Sequence, residues 1–382
     1  MAPPLPAAGH TAAPVENGGA RSMNGRSMNG RSMNGELFAL DRHGDSDSEA
    51  GLTDFAVNVR PGPPRFVLDA LTARLPDLAR YPTAGDDARA VDAVARAHRR
   101  TPGEILLLSG AAEGFELLPR LGARHAALIQ PSFTEPELAL RSAGIPITQV
   151  VLDRPWRLDA DGIARLIPAD ADLVVIGNPT NPTSVLHPAD VIEALRAPGR
   201  LVVVDEAFAD LTLDPVSGER EPQSVASRRW PDVIVLRSIT KTFGLAGLRA
   251  GYLLADPAII DRLSMGRRPW ALGTLSLVAL AECVGPRGER YCRKVAAEVA
   301  EQRSDLIAGL RELGIEPATT PEASFVLIEV DDGLGVKRRL FEQGIAVRSA
   351  ANFVGLGPGF LRLAVRDRPT TARLIESLRA GG

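Results

Sequence analysis

From about residue 103 the chain repeats one pattern that leaves few folds open. Short apolar runs occur at Ile105–Leu108, Ala126–Ile129, Ile147–Leu152, Leu173–Ile176, Leu201–Val204, Val233–Leu236 and Tyr252–Ala255. Helical stretches lie between most of them, for example Glu113–Leu121, Glu135–Ala143 and Pro188–Leu195. Uninterrupted Val, Ile and Leu runs alternating with helices describe an α/β fold, with a mostly parallel sheet covered on both faces. Ligands of such sheets sit beyond the carboxyl ends of the strands.

The remainder of the chain divides around that core. Residues 1–50 carry Arg-Ser-Met-Asn-Gly three times, at 21–35, and read as a low-complexity tail with no apolar face to bury. Residues 51–80 precede the main sheet and are expected to pack with a smaller domain. The large domain is placed at 81–286. After Pro286 a long amphipathic helix (about Arg290–Leu313), a strand (Phe325–Val330), a helix near 333–343, a strand at 361–365 and a last helix at 369–379 read as a small α+β domain, 287–382.

Composition removes several classes of function. Of 382 residues, 44 are basic and 47 acidic, a net charge of −3, which argues against a nucleic-acid or anionic-membrane binder. No run of about 18 apolar residues suggests a membrane span. The two cysteines, Cys283 and Cys292, read as free thiols of a cytoplasmic protein. The histidines are scattered without metal-ligand spacing, and no P-loop, Gly-x-Gly-x-x-Gly or His-Glu-x-x-His motif occurs, so no metal site is expected.

Lysine is the scarce residue: there are three, Lys241, Lys294 and Lys337. Lys294 and Lys337 lie in charged helical stretches, whereas Lys241 follows the run Val233–Leu236 within Ser238-Ile239-Thr240-Lys241-Thr242-Phe243-Gly244, with Arg249 five residues on. A lysine placed at a strand's carboxyl end among hydroxyls suits Schiff-base chemistry on a carbonyl. Asp205 ends the run Val202–Val204, where a carboxylate needs a cationic partner such as a pyridinium nitrogen. Asn178-Pro179-Thr180-Asn181-Pro182 forms a stiff loop after Leu173–Ile176. Ser109-Gly110-Ala111-Ala112 opens a helix whose free N–H groups could cradle a phosphate.

In this order and spacing the four segments resemble the fold-type I pyridoxal 5'-phosphate (PLP) enzymes of the class I/II aminotransferase family, over about 54–380. The resemblance implies that Lys241 binds the cofactor covalently, Asp205 pairs with its ring nitrogen and Asn181 bonds its 3-oxygen. The phosphate would rest on the Ala111 and Ala112 amides, Ser238, Thr240 and Arg249, and Phe133 would stack on the ring. Tyr81 would reach the cofactor phosphate of a second subunit in a homodimer. Phe208 stands where many relatives carry Tyr, which removes one donor to the 3-oxygen.

Finer motifs favour one branch. His43-Gly44, then Asp54-Phe55-Ala56-Val57-Asn58-Val59-Arg60-Pro61, and the ending Leu361-Arg362-Leu363-Ala364-Val365-Arg366 resemble the threonine-phosphate decarboxylases of cobalamin synthesis and related actinobacterial PLP proteins. That likeness implies Arg362 on the substrate carboxylate, Arg348 with His43 of the partner subunit on its phosphate, and Asn58 as a further substrate contact. Arg60 departs from the usual Asn near the substrate entrance. The first expectation is decarboxylation of threonine phosphate. The second is transamination of a histidinol-phosphate-like amine or an amino acid. A PLP-binding regulator is the remote third, since residues 1–50 are too short and simple for a DNA-binding domain.

Overall fold

The structure is a computed structural model that describes Leu40 and residues 51–380. Apart from Leu40, the expected tail and His43 lie outside the described residues. Leu40 is an exception to the tail: it is buried, and its carbonyl accepts a hydrogen bond from Thr134 Oγ1 at 2.7 Å. It belongs to an apolar stretch that follows the polar repeats, so it has a side chain worth burying.

Eleven strands are described: β1 Thr53–Phe55, β2 Ile105–Leu108, β3 Ala126–Gln130, β4 Ile147–Val151, β5 Leu173–Gly177, β6 Leu201–Asp205, β7 Val233–Ser238, β8 Gly251–Leu254, β9 Phe325–Glu329, β10 Ile345–Ser349 and β11 Phe360–Ala364. Seven form one sheet in the order β2-β8-β7-β6-β5-β3-β4, parallel from β7 to β4 and antiparallel on both sides of β8. Alternate residues serve opposite cores: Val202 and Val204 pack on one face of β6, Val203 on the other. Helices Ala84–His98 and Thr274–Val284 cover the first face, and Ala111–Leu117 and Pro257–Ser264 the second. Both faces of the inner strands are buried, so these read as solid apolar runs, whereas the edge strand β4 carries Thr148 and Gln149 and leaves Val151 exposed.

The second sheet has the order β1-β10-β11-β9, and its core packs on the helices Pro286–Glu312 and Arg368–Arg379. The chain turns into it at Gly285–Pro286, where Gly288 lets two helices cross closely; a Cβ there would lie 1.7 Å from the Cys283 carbonyl oxygen. Segment 51–80, expected against the small domain, divides between the two sheets. Thr53–Phe55 pairs with Ile345–Val347 in the small sheet, while Val67, on the helix Arg65–Ala73, joins the large core. Strand β10 has no counterpart in the sequence expectations.

Candidate active site

The parallel strands deliver their carboxyl ends to a cavity of about 490 Å³ roofed by the small sheet. Ala111, Ala112, Phe133, Asn181, Asp205, Ser238, Thr240, Lys241 and Arg249 all line it, as do Asn58, Arg348 and Arg362. Residues far apart in sequence therefore meet in one place.

One end is a cradle of donors. Gly110 precedes the helix Ala111–Leu117 at φ +81°, and a Cβ there would come within 2.8 Å of Arg249 Nη2. Gly251 is equally constrained, since its Cβ would stand 2.9 Å from the Ala111 nitrogen. The two glycines thus let the arginine and the helix amides crowd together. Ser238 Oγ and Thr240 Oγ1 are 2.7 Å apart beside them. Glu113, which would repel an anion, is tied to Arg267 at 2.7 Å and accepts from the Ser109 N–H at 2.6 Å. Amides, hydroxyls and a guanidinium are the donor set that suits a phosphate.

The middle of the cavity holds Asp205 and Lys241. Burial raises the Asp205 carboxyl to about 6, with Glu206 adding to the effect and the Ala207 N–H (3.0 Å) and Lys241 opposing it. Burial also lowers the Lys241 ammonium, helped by Arg362 and Arg249 and resisted by Asp205 and Glu135. A carboxylate held in a dry place calls for a cation, and an amine of lowered pKa is a ready nucleophile and base. The Asn181 loop is braced by Asn178, which exchanges bonds of 3.0 and 2.8 Å with the main chain of His187.

The roof supplies two arginines. Arg348 and Arg362 stand directly opposite one another on β10 and β11, and both side chains are buried. Arg362 donates to Asn181 Oδ1 and to the Ala56 carbonyl, each at 2.6 Å, and with its amide oxygen turned inward Asn58 accepts from Arg362 Nε at 3.1 Å. Arg348 donates to Asn352 Oδ1 at 2.9 Å and lies over Phe353.

Other expected residues fall elsewhere. Tyr81 is exposed and stacks on Trp270 at 4.3 Å, away from the cavity lining of its own chain. Arg60 follows the cavity-lining Val57–Val59 and donates its N–H to the Lys241 carbonyl at 3.0 Å, while its guanidinium turns to Glu298 (3.2 Å) and Gln302 (3.3 Å) on the helix Pro286–Glu312. Arg366 fastens the Asp54 and Val57 carbonyls at 2.7 and 2.6 Å. Glu135 was missed: it lines the cavity, and burial with Asp205 raises it to about 7 against the pull of Arg249 and Lys241. An acid in the first turn of a helix is ordinary, so its sequence position carried no signal.

Comparison with known proteins decides the family. The profile of the class I and II aminotransferases matches residues 51–378. The chain belongs to that family. A histidinol-phosphate aminotransferase from Mycobacterium tuberculosis is 48% identical over 349 residues, 91% of this chain and 93% of the relative. A threonine-phosphate decarboxylase from Salmonella typhimurium is 30% identical over 338 residues, 86% and 90% of the two chains. In fold the chain matches the crystal structure of a histidinol-phosphate aminotransferase from Clostridium acetobutylicum, with a TM-score of 0.77 at 24% identity, covering 86% of this chain and 98% of that one. It is a PLP-dependent enzyme of fold type I.

The site fits that cofactor. The donor cradle suits its phosphate, Asp205 its ring nitrogen, Phe133 its ring face and Lys241 its carbonyl carbon. Bound there, PLP supplies an electron sink to an amino substrate. Asp205 would keep the ring nitrogen protonated, and Phe208, whose ring lies 5.8 Å from Lys241 Nζ and is backed by Phe325 at 5.0 Å, gives the Lys241 side an apolar surface. Lys241 Nζ would be the group that moves a proton to and from the substrate's α-carbon, and the buried arginines would fix the substrate's anionic end.

Proposed function

We propose that this chain transaminates a phosphorylated primary amine of the histidinol phosphate type. The observation that carries the reading is the opposed pair Arg348 and Arg362, two buried guanidinium groups on one face of the roof. Two guanidinium groups lining one end of the cavity match the charge and the fork geometry by which an anionic substrate group is held. Transamination uses such a pair twice: a phosphate in the first half-reaction and the carboxylate of a 2-oxo acid in the second. The relatives support this reading over the one expected first from the motifs: the histidinol-phosphate aminotransferase is 48% identical over the aligned residues, against 30% for the threonine-phosphate decarboxylase. The cofactor roles of Lys241, Asp205, Asn181 and the donor cradle, and the substrate roles of Arg348, Arg362 and Asn58, are part of this reading. So is a homodimer in which Tyr81 reaches the partner's cofactor phosphate, supported by the exposed Tyr81–Trp270 stack.

Product analysis tests it. Holoenzyme given histidinol phosphate and 2-oxoglutarate should form glutamate at the rate the amine is consumed. Carbon dioxide released from threonine phosphate, with no turnover of the amine, would overturn transamination in favour of decarboxylation.

A further inference from the structure

Successive side chains at a strand end point to opposite faces. Asp205, Ser238 and Lys241 face the cavity, and the residue beside each of them takes part in a second, hidden layer. Arg237, buried next to Ser238, lies 2.9 Å from Glu206 Oε2 and 2.7 Å from Glu221 Oε2 through Nη1. Its Nη2 is 3.5 Å from Asp210 Oδ1. Asp210 Oδ2 in turn accepts from Thr242 Oγ1 at 2.8 Å, and Thr242 is fully buried behind Lys241. Glu206, beside Asp205, also accepts from Ser224 Oγ (2.6 Å) and from the Val225 N–H (2.7 Å). The ladder between β6 and β7 ends where the Glu206 N–H meets the Leu236 carbonyl at 2.9 Å. Asp205 sits on the last rung of that ladder, whereas Lys241 lies beyond it, on a loop held by main-chain bonds such as Phe243 N–H to the Ile239 carbonyl (3.2 Å) and tied back to β6 by this side-chain layer.

We infer that Arg237 is a positioning residue. Through Glu206 on one side and the Asp210–Thr242 bond on the other, it sets the separation of Asp205 from Lys241 and so the fit of the cofactor between them. This rests on the reading of those two residues as the cofactor's anchors and is independent of the substrate. A planar fork suits the task, because one group must span three carboxylates, two on the turn after β6 and Glu221 on a separate loop.

The test uses the full chain with and without PLP. Arg237→Met removes the cation shared by Glu206, Asp210 and Glu221, the first two of them buried, and risks the fold, so the deciding variants are Thr242→Val and Arg237→Lys. Thr242→Val removes one buried hydrogen bond, and we expect the PLP dissociation constant to rise about tenfold. The visible circular dichroism of the bound cofactor should weaken, with kcat lowered and KM for the amine little changed. Arg237→Lys keeps the charge without the fork and should move the same readouts in the same direction. If both variants lose only melting temperature, with wild-type cofactor affinity and dichroism, the layer is a structural brace and the inference fails. A wild-type protein that binds no PLP would instead sink the cofactor reading itself.

Discussion

The two walls of the cavity are built by opposite strategies. On the large sheet the functional groups sit at the last residue of a strand, as Asp205 and Ser238 do, or just past it on short loops rich in Gly, Ser, Thr and Asn-Pro steps. On the small sheet Arg348 and Arg362 sit within strands, between apolar neighbours such as Val347, Leu361 and Leu363. Loop ends are free to adopt the geometry a fixed cofactor demands, whereas a strand interior offers one direction per residue and little adjustment. The first wall therefore suits an invariant cofactor, and the second suits a charge held at a set distance from it.

The sharpest way to break this division is at Lys241 and Asp205. Lys241→Ala should abolish the visible absorption of the bound cofactor and lower turnover by roughly four orders of magnitude or more, the scale of deleting a central catalytic group. Borohydride reduction that fixed the cofactor on Lys294 or Lys337 would refute the assignment. Asp205→Asn keeps the packing but cannot hold the ring nitrogen protonated. Its rate should fall by several orders of magnitude while the cofactor is still retained.

Smaller effects should separate the arginines. Arg348→Ala should weaken transition-state binding of phosphorylated amines by roughly 2–4 kcal/mol, as when one partner of a desolvated charge pair is removed. Its PLP affinity should stay at the wild-type level. Arg362 also grips Asn181 on the other wall, so Arg362→Ala should raise both KM and the PLP dissociation constant. Equal losses for phosphorylated and plain amines in Arg348→Ala would remove the phosphate role.

The same division explains what could be read in advance. The large-sheet strands were legible because burial on both faces leaves a solid apolar run, and their loops because glycine and hydroxyl residues cluster there for a reason. Strand β10 was not legible: Ile345–Ser349 is five residues long and carries an arginine, so it resembles a loop until β11 pairs with it. The placement of Arg60 on the helix Pro286–Glu312 depends on Glu298 and Gln302, more than two hundred residues away, and no local pattern encodes that meeting. The back layer around Arg237 was likewise invisible. Its members look like ordinary charges at strand ends until the fold turns them inward together.

The smallest effect concerns stability of the cofactor-free protein, and it tests whether the large-sheet wall is poised for a cation. Asp205 titrates near 6 in the fold against 3.8 in the unfolded chain, so the folded state holds the proton more tightly between those values. Folding is then penalised as pH rises from about 3.8 to about 6, and the whole penalty is present above that range. Glu135 adds a similar penalty between 4.5 and about 7. His187, lowered to about 4 by burial, acts in the opposite sense, since the unfolded chain binds its proton up to 6.5. A raw pH profile therefore mixes signs, and the comparison of wild type with Asp205→Asn isolates one group. Without PLP, Asp205→Asn should raise the melting temperature by a few degrees at about pH 8 and by less at about pH 5. With PLP bound, the ring nitrogen partners the carboxylate, and the variant should be the less stable of the two. A variant that melts below wild type at about pH 8 without the cofactor would mean that Asp205 is already satisfied by the protein alone, and the contrast between the two walls would lose its electrostatic basis.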